Sequence, residues 1–198
     1  MRIVFIAGLI AGAFATPAFA QDAPAPPPAP MSGFHVEGLV GYDSAEIADD
    51  NDGGILYGAR AGYDFQSGRA VFGIEAEAND STNEGCVTGI AAANDTLCVG
   101  AGRELFIGGR AGFIVGRNVL LYGTAGYTNA RFDVDYDDGT PGGAGNFVDH
   151  ANLDGVRVGA GAQFGVGRNA YFRTELRYAN YEQGADRGQV VGAFGFRF

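Results

Sequence analysis

Lysine and tryptophan are absent from this 198-residue chain, and cysteine and histidine occur twice each. Past its amino-terminal segment it also has no run of about 18 apolar residues, so no transmembrane helix is expected in the processed chain. That leaves two classes of exported protein, a soluble one or a β-barrel. A formal net charge of −10, from 13 basic and 23 acidic residues, argues against nucleic acid as a partner. His35 and His150 are far apart, and neither has a serine two residues away on the same strand face. A lipid-modifying Ser–His enzyme is therefore disfavoured; no enzymatic activity and no cofactor are expected. Cys86 and Cys98 do not form a Cys-x-x-Cys redox motif. In an oxidising compartment they are expected to form a structural disulfide in a surface loop.

The amino terminus carries export chemistry. Arg2 precedes an apolar run from Ile3 to Ala15, and Ala18-Phe19-Ala20 has the small-x-small pattern of a signal-peptide cleavage site. Residues 1–20 are expected to be removed between Ala20 and Gln21. Residues 21–32, rich in Ala and Pro, read as a periplasmic tether, and residues 33–198 as one domain.

From Gly33 onward apolar and polar residues alternate with period two, in eight runs: Phe34 to Tyr42, Ile55 to Phe65, Ala70 to Asn79, Arg103 to Val115, Val119 to Phe132, Val156 to Val166, Tyr171 to Tyr181 and Gln189 to Phe198. The fifth alternates least cleanly. Short turns at 66–69, 116–118 and 167–169 alternate with longer connections at 44–54, 80–102, 133–155 and 182–188. Strict long–short alternation is what an up-and-down meander with its large loops on one side produces. Phe113-Ile-Val-Gly-Arg-Asn118 recurs as Phe164-Gly-Val-Gly-Arg-Asn169, in keeping with a regular meander.

Alternation alone does not say which face looks inward. A soluble barrel turns its apolar face in; an outer-membrane barrel turns it out. The second arrangement is favoured by charges of both signs near mid-strand: Arg60, Glu75, Glu77, Arg110, Arg157, Glu175 and Arg177. In a closed lumen these can pair, and planar arginine suits confined carboxylates better than lysine does. Aromatics near the ends of the apolar faces suit two interfacial girdles, and runs of nine to thirteen residues suit tilted strands crossing a bilayer.

The last strand sets Val190, Gly192, Phe194, Phe196 and Phe198 on one face. This ending resembles the C-terminal signature by which outer-membrane barrels reach their assembly machinery. The segments from Val119 to Tyr127 and from Gly155 to Phe164, and the Arg173-x-Glu175-x-Arg177-Tyr178 strand, are similar to those of small porin-like proteins of the "outer membrane protein beta-barrel domain" family. The resemblance runs from Gly33 to Phe198. It implies an all-β, eight-stranded antiparallel transmembrane barrel in the outer membrane of a Gram-negative bacterium, OmpA-like but without a peptidoglycan-binding domain. It also implies outer-membrane lipid, lipopolysaccharide, the barrel-assembly machinery and periplasmic chaperones as partners. A monomer is expected.

Two clusters, Asp49, Asp50 and Asp52, and Asp133, Asp135, Asp137 and Asp138, have the oxygen ligands that Ca²⁺ or Mg²⁺ prefers. Asp138 stands where an EF-hand needs glycine, so solvated acidic loops are expected and no metal site. The functional expectation is a structural or surface-interaction role in the envelope. A narrow channel is the alternative, disfavoured because charged side chains should fill an eight-stranded lumen.

Overall fold

The computed structural model describes residues 31–47, 50–89, 95–140, 145–182 and 186–198. The expected signal peptide, its Ala20/Gln21 cleavage point and most of the tether lie outside them. Nine strands follow in order: β1 (Gly33–Ile47), β2 (Asp50–Ser67), β3 (Ala70–Ser81), β4 (Asn83–Thr88), β5 (Thr96–Val115), β6 (Val119–Asp137), β7 (Phe147–Val166), β8 (Ala170–Tyr181) and β9 (Asp186–Arg197).

All are antiparallel, and eight of them close a barrel. Neighbours in sequence pair, β3 skips β4 to pair with β5, and β1 pairs with β9 to seal the ring. The seal sets His35 opposite Arg197 and Ala45 opposite Arg187. Closure removes the sheet edges, which is what lets strands cross lipid without unsatisfied backbone groups.

The pleat decides what each face meets. On β1, Phe34, Val40 and Tyr42 point out while His35, Glu37 and Leu39 are buried inside. On β8, Phe172, Leu176 and Tyr178 point out while Arg173, Glu175 and Arg177 are buried. The apolar face is therefore the outer one. Phe65, Phe72, Phe113 and Phe164 ring the end with the short turns; Tyr42, Tyr57, Tyr127 and Tyr178 ring the end with the long connections.

Several strands run past the sequence-based limits. β7 begins at Phe147 rather than Val156, β5 at Thr96 rather than Arg103, and β6 ends at Asp137 rather than Phe132. Much of the expected loop is paired hairpin. Beyond the bilayer both strand faces are wet, so apolar–polar alternation fades although the backbone ladder continues. β4 is the extreme case: it pairs with β5 inside the connection at 80–102. A register shift between Ala101 and Glu104 marks the place where β5 exchanges β3 for β4 as its neighbour.

The tether boundary also moves. Met31 is buried against Val71, Ile114, Leu120 and Tyr122, closing the turn end of the barrel. Its amide donates to Gln66 Oε1 at 2.5 Å, and the Gln66 amide donates to Ser32 Oγ at 2.9 Å. The chain is thus docked two residues before the expected domain start.

Candidate functional site

Two regions carry the polar chemistry: the lumen, and the hairpins that stand above its far end. Inward-facing strand positions place seven carboxylates in the lumen: Glu37, Asp43, Asp64, Glu75, Glu77, Glu104 and Glu175. Seven guanidiniums meet them, from Arg60, Arg110, Arg157, Arg173, Arg177, Arg187 and the slightly more accessible Arg197. Formally the lumen is neutral, so the chain's net charge of −10 lies outside it.

These groups stack in tiers from the turn end upward. Asp64 accepts from Arg110 and, at 2.7 Å, from Arg197, with His35 Nδ1 3.4 Å away. In the next tier Arg173 is the hub. It donates to Glu37 at 3.0 Å, to both oxygens of Glu75 at 2.9 Å and to Glu175 at 2.6 Å. The Tyr171 hydroxyl closes the remaining side by donating to Glu37 at 2.9 Å.

Above that tier, Glu77 gathers Arg60 at 2.7 Å, Arg157 at 3.0 Å and Arg177 at 2.7 Å. Glu104 takes Arg157 at 2.6 Å and the Gln189 amide at 3.0 Å. Arg187 pairs with Asp43 near the loop end. Aromatic rings fill the remaining width: the Arg157 guanidinium lies 3.7 Å from the centroid of Phe106, and that of Arg173 lies 4.3 Å from Tyr122. An apolar cluster of Ala130, Phe132, Ala179 and Tyr181 caps the top, as the Met31 cluster caps the bottom.

A buried ion pair is stable only if desolvation is offset by near-complete hydrogen bonding. Here each central carboxylate meets several donors, and Arg60, Arg157, Arg173 and Arg177 each reach two or more carboxylates. Such a lattice fills much of the lumen with paired side chains.

The structure brings Arg60, Glu75, Glu77, Arg110, Arg157, Glu175 and Arg177 together on this inner face. Sequence reasoning left Arg173, Asp64 and Glu104 out of the group, although each shares a strand face with a residue that was in it; Glu37 was left out too, on β1, a strand that contributed no member. Asp43, Arg187 and Arg197 were harder to see, since they lie at or beyond the ends of the clean alternation. Val190, Phe194, Phe196 and Phe198 point outward, with Gly192 between them on the same face.

The second region is a protruding sheet. Above the barrel, β4, β5, β6 and β7 remain paired, with Leu97 opposite Tyr136 and Tyr136 opposite Phe147. β8 meets β7 only from Gly155 onward, so among the described residues positions 147–154 pair on one side alone. Phe147 is 52% and Val148 78% exposed there. A disulfide joins Cys86 to Cys98, directly opposed residues of β4 and β5.

The two histidines are well separated: His35 is buried at the turn end of the lumen and His150 is exposed on the protruding sheet. Of the acidic clusters, Asp133 pairs with Arg131 at 3.2 Å; Asp49 lies outside the described residues. Among the described residues no three His, Cys, Asp or Glu side chains converge as metal ligands.

Comparison with known proteins agrees with this geometry. Residues 6–198 match the family model described as "Outer membrane protein beta-barrel domain". A "22 kDa outer membrane protein" of Rhizobium leguminosarum bv. viciae is 29% identical over 170 residues, covering 82% of this chain and 70% of that protein. Among solved structures, Neisserial surface protein A superposes with a TM-score of 0.57 at 16% identity, over 84% of this chain and 98% of that one. Ail, the attachment invasion locus protein of Yersinia pestis, crystallised with the heparin analogue sucrose octasulfate, gives 0.53 at 16% identity, over 85% and 100%. At that identity the two structures share the fold alone.

Proposed function

Because the chain belongs to the outer membrane protein beta-barrel domain family, we propose that it is a closed, non-conducting envelope protein that works through its protruding sheet, in a structural or surface-interaction role. The observation that carries this reading is the edge of β7 at positions 147–154, which among the described residues pairs with β6 on one side only. Unpaired N–H and C=O groups on an exposed edge are a template for a strand of another protein. Apolar Phe147 and Val148 lie on that edge, where a partner would cover them. The charged side chains that crowd an eight-stranded lumen support the same reading, since such a lumen is only wide enough to be filled by side chains.

Charge narrows the partner. Ail was crystallised with a polyanion. Here the negative excess lies outside a neutral lumen, and Asp135, Asp137, Asp149 and Asp154 sit on the protruding strands. A basic or neutral protein partner fits better than a sulfated glycan. Next to lipopolysaccharide the same acids require bridging divalent cations; chelation should then raise the mobility of the outer hairpins, and unchanged mobility would count against lipopolysaccharide contact. Targeting belongs to this reading as well: removal of residues 1–20 in the periplasm, and delivery by chaperones to the assembly machinery through the outward face of β9.

The test uses a deletion strain complemented with the full chain or with a variant whose 134–149 hairpin tip is replaced by a short turn. Heat-modifiable migration on gels should show both folded in the outer membrane. Only the full chain should restore envelope integrity or surface adhesion, and neither should give steady single-channel steps in planar bilayers. Stable conductance from the full chain would replace this reading with the narrow-channel one. A change in lipid A mass between deletion and wild-type strains would point instead to a lipid-modifying enzyme.

A further inference from the structure

The short-turn end of the barrel repeats one five-residue pattern three times: Phe65-Gln-Ser-Gly-Arg69, Phe113-Ile-Val-Gly-Arg117 and Phe164-Gly-Val-Gly-Arg168. In each, the phenylalanine points outward to lipid and is 61%, 53% and 40% exposed, respectively. In each, the glycine has a positive φ, at 61°, 67° and 75°, which is open to glycine at little cost and reverses the chain. In each, the arginine that follows is exposed.

The turns are held in place by their neighbours. Asn118 exchanges two hydrogen bonds with Gly165: Gly165 N donates to its carbonyl at 2.8 Å, and its Nδ2 donates back to Gly165 O at 3.1 Å. Asn169 does the same with Arg197, at 2.7 and 2.9 Å. Ile114 N donates to the Arg69 carbonyl at 2.8 Å, tying the first turn to β5. Arg69 itself makes one long contact, Nη1 to Ile114 O at 3.4 Å. Arg69, Arg117 and Arg168 form no ion pair among the described residues. The one acid near this rim among those residues, Asp64, is buried and already paired with Arg110 and Arg197.

From this arrangement we infer that Arg69, Arg117 and Arg168 form a ring of sites for the phosphates of anionic phospholipid in the leaflet at the turn end. Depth supports the assignment. A strand rises about 3.3 Å per residue, so each glycine lies roughly 10 Å beyond its phenyl ring, less the tilt. With the rings at the edge of the hydrocarbon, the guanidiniums reach the headgroup layer, which is several ångströms thick on each side. Charge supports it too, because three exposed cations with no carboxylate partner among the described residues face that layer, and arginine donates to phosphate in a two-pronged geometry. Among the described residues the opposite rim carries acids such as Asp133, Asp135, Asp137 and Asp149 beside Arg103 and Arg131.

The experiment reconstitutes the folded protein in phosphatidylcholine vesicles with spin-labelled phosphatidylglycerol or phosphatidylcholine as probe. The fraction of motionally restricted probe is then compared. Wild type should enrich the anionic probe about fivefold per site, the order expected of one basic residue near a charged surface. The triple variant Arg69→Gln/Arg117→Gln/Arg168→Gln should bring the ratio close to unity. An Arg103→Gln/Arg131→Gln control at the other end should retain it, showing that position rather than total charge matters. Heat-modifiable migration verifies that each variant is folded. No preference in wild type, or an undiminished preference in the folded triple variant, overturns the inference. So does displacement by inorganic phosphate beyond that by chloride at equal ionic strength, since the ring would then be a free-anion site.

Discussion

Arg173 on β8 and Glu75 on β3 meet across the lumen in a two-pronged ion pair, both contacts at 2.9 Å, although 98 residues separate them. Arg173 also serves Glu37 and Glu175, so its removal takes a charged donor from three buried carboxylates at once. Arg173→Met should therefore lower stability by about 3–5 kcal/mol, the cost of breaking a buried pair from one side. Arg173→Met with Glu75→Leu should lose less than the sum of the single changes, because the partners are coupled. Urea unfolding from lipid vesicles measures both; strict additivity would contradict the hub role.

Gly195 on β9 faces Tyr171 and Glu37 so closely that a Cβ there would lie 2.5 Å from the tyrosine Cζ and 2.8 Å from Glu37 Cγ. Neither neighbour can move freely, since the Tyr171 hydroxyl donates to Glu37. Gly195→Ala should cost about 1–3 kcal/mol by overpacking. Its melting temperature in detergent should fall, and trimming the ring with Tyr171→Leu should recover part of the packing loss.

The Cys86–Cys98 bridge lies above the barrel and closes a short segment, the cysteines being 12 residues apart. Loop-entropy reasoning assigns it about 3 kcal/mol, acting on the hairpin that it closes. A Cys86→Ser/Cys98→Ser variant should show faster amide exchange in the hairpin, while the unfolding midpoint of the barrel stays near that of wild type. A large shift of that midpoint would mean that hairpin and barrel unfold together.

On the protruding sheet the Tyr136 hydroxyl donates to Asp95 Oδ2 at 3.1 Å, and its ring stacks on Phe147 with centroids 5.4 Å apart. The hydrogen bond holds the Tyr136 phenol above the ordinary tyrosine value, helped by some desolvation and by the Asp95 charge. A raised folded value means the contact stabilises below the unfolded tyrosine value and is lost as pH rises through the folded one. Wild type should protect the 134–137 amides better than Tyr136→Phe at neutral pH. The difference should close in strong alkali. A difference that persists there would show that the protection does not depend on this hydrogen bond, and no difference at neutral pH would assign the protection to ring stacking, which both proteins keep.

The sequence determined the barrel because its information is local. Period two, turn glycines and strand length lie within a few residues of one another, and they specify eight strands and the two faces of each. Mid-strand charges such as Arg60, Glu77 and Arg177 were legible because a charge on an otherwise apolar run has to face the lumen. Only the tertiary structure decided who pairs with whom. Arg173 reaches Glu37 and Glu75 because closing β1 onto β9 curls the sheet, and no spacing along the chain encodes that approach. The protruding sheet was equally hidden. Outside the bilayer both faces of a strand meet water, so the backbone ladder that holds Phe147 opposite Tyr136 leaves no alternation in the side chains.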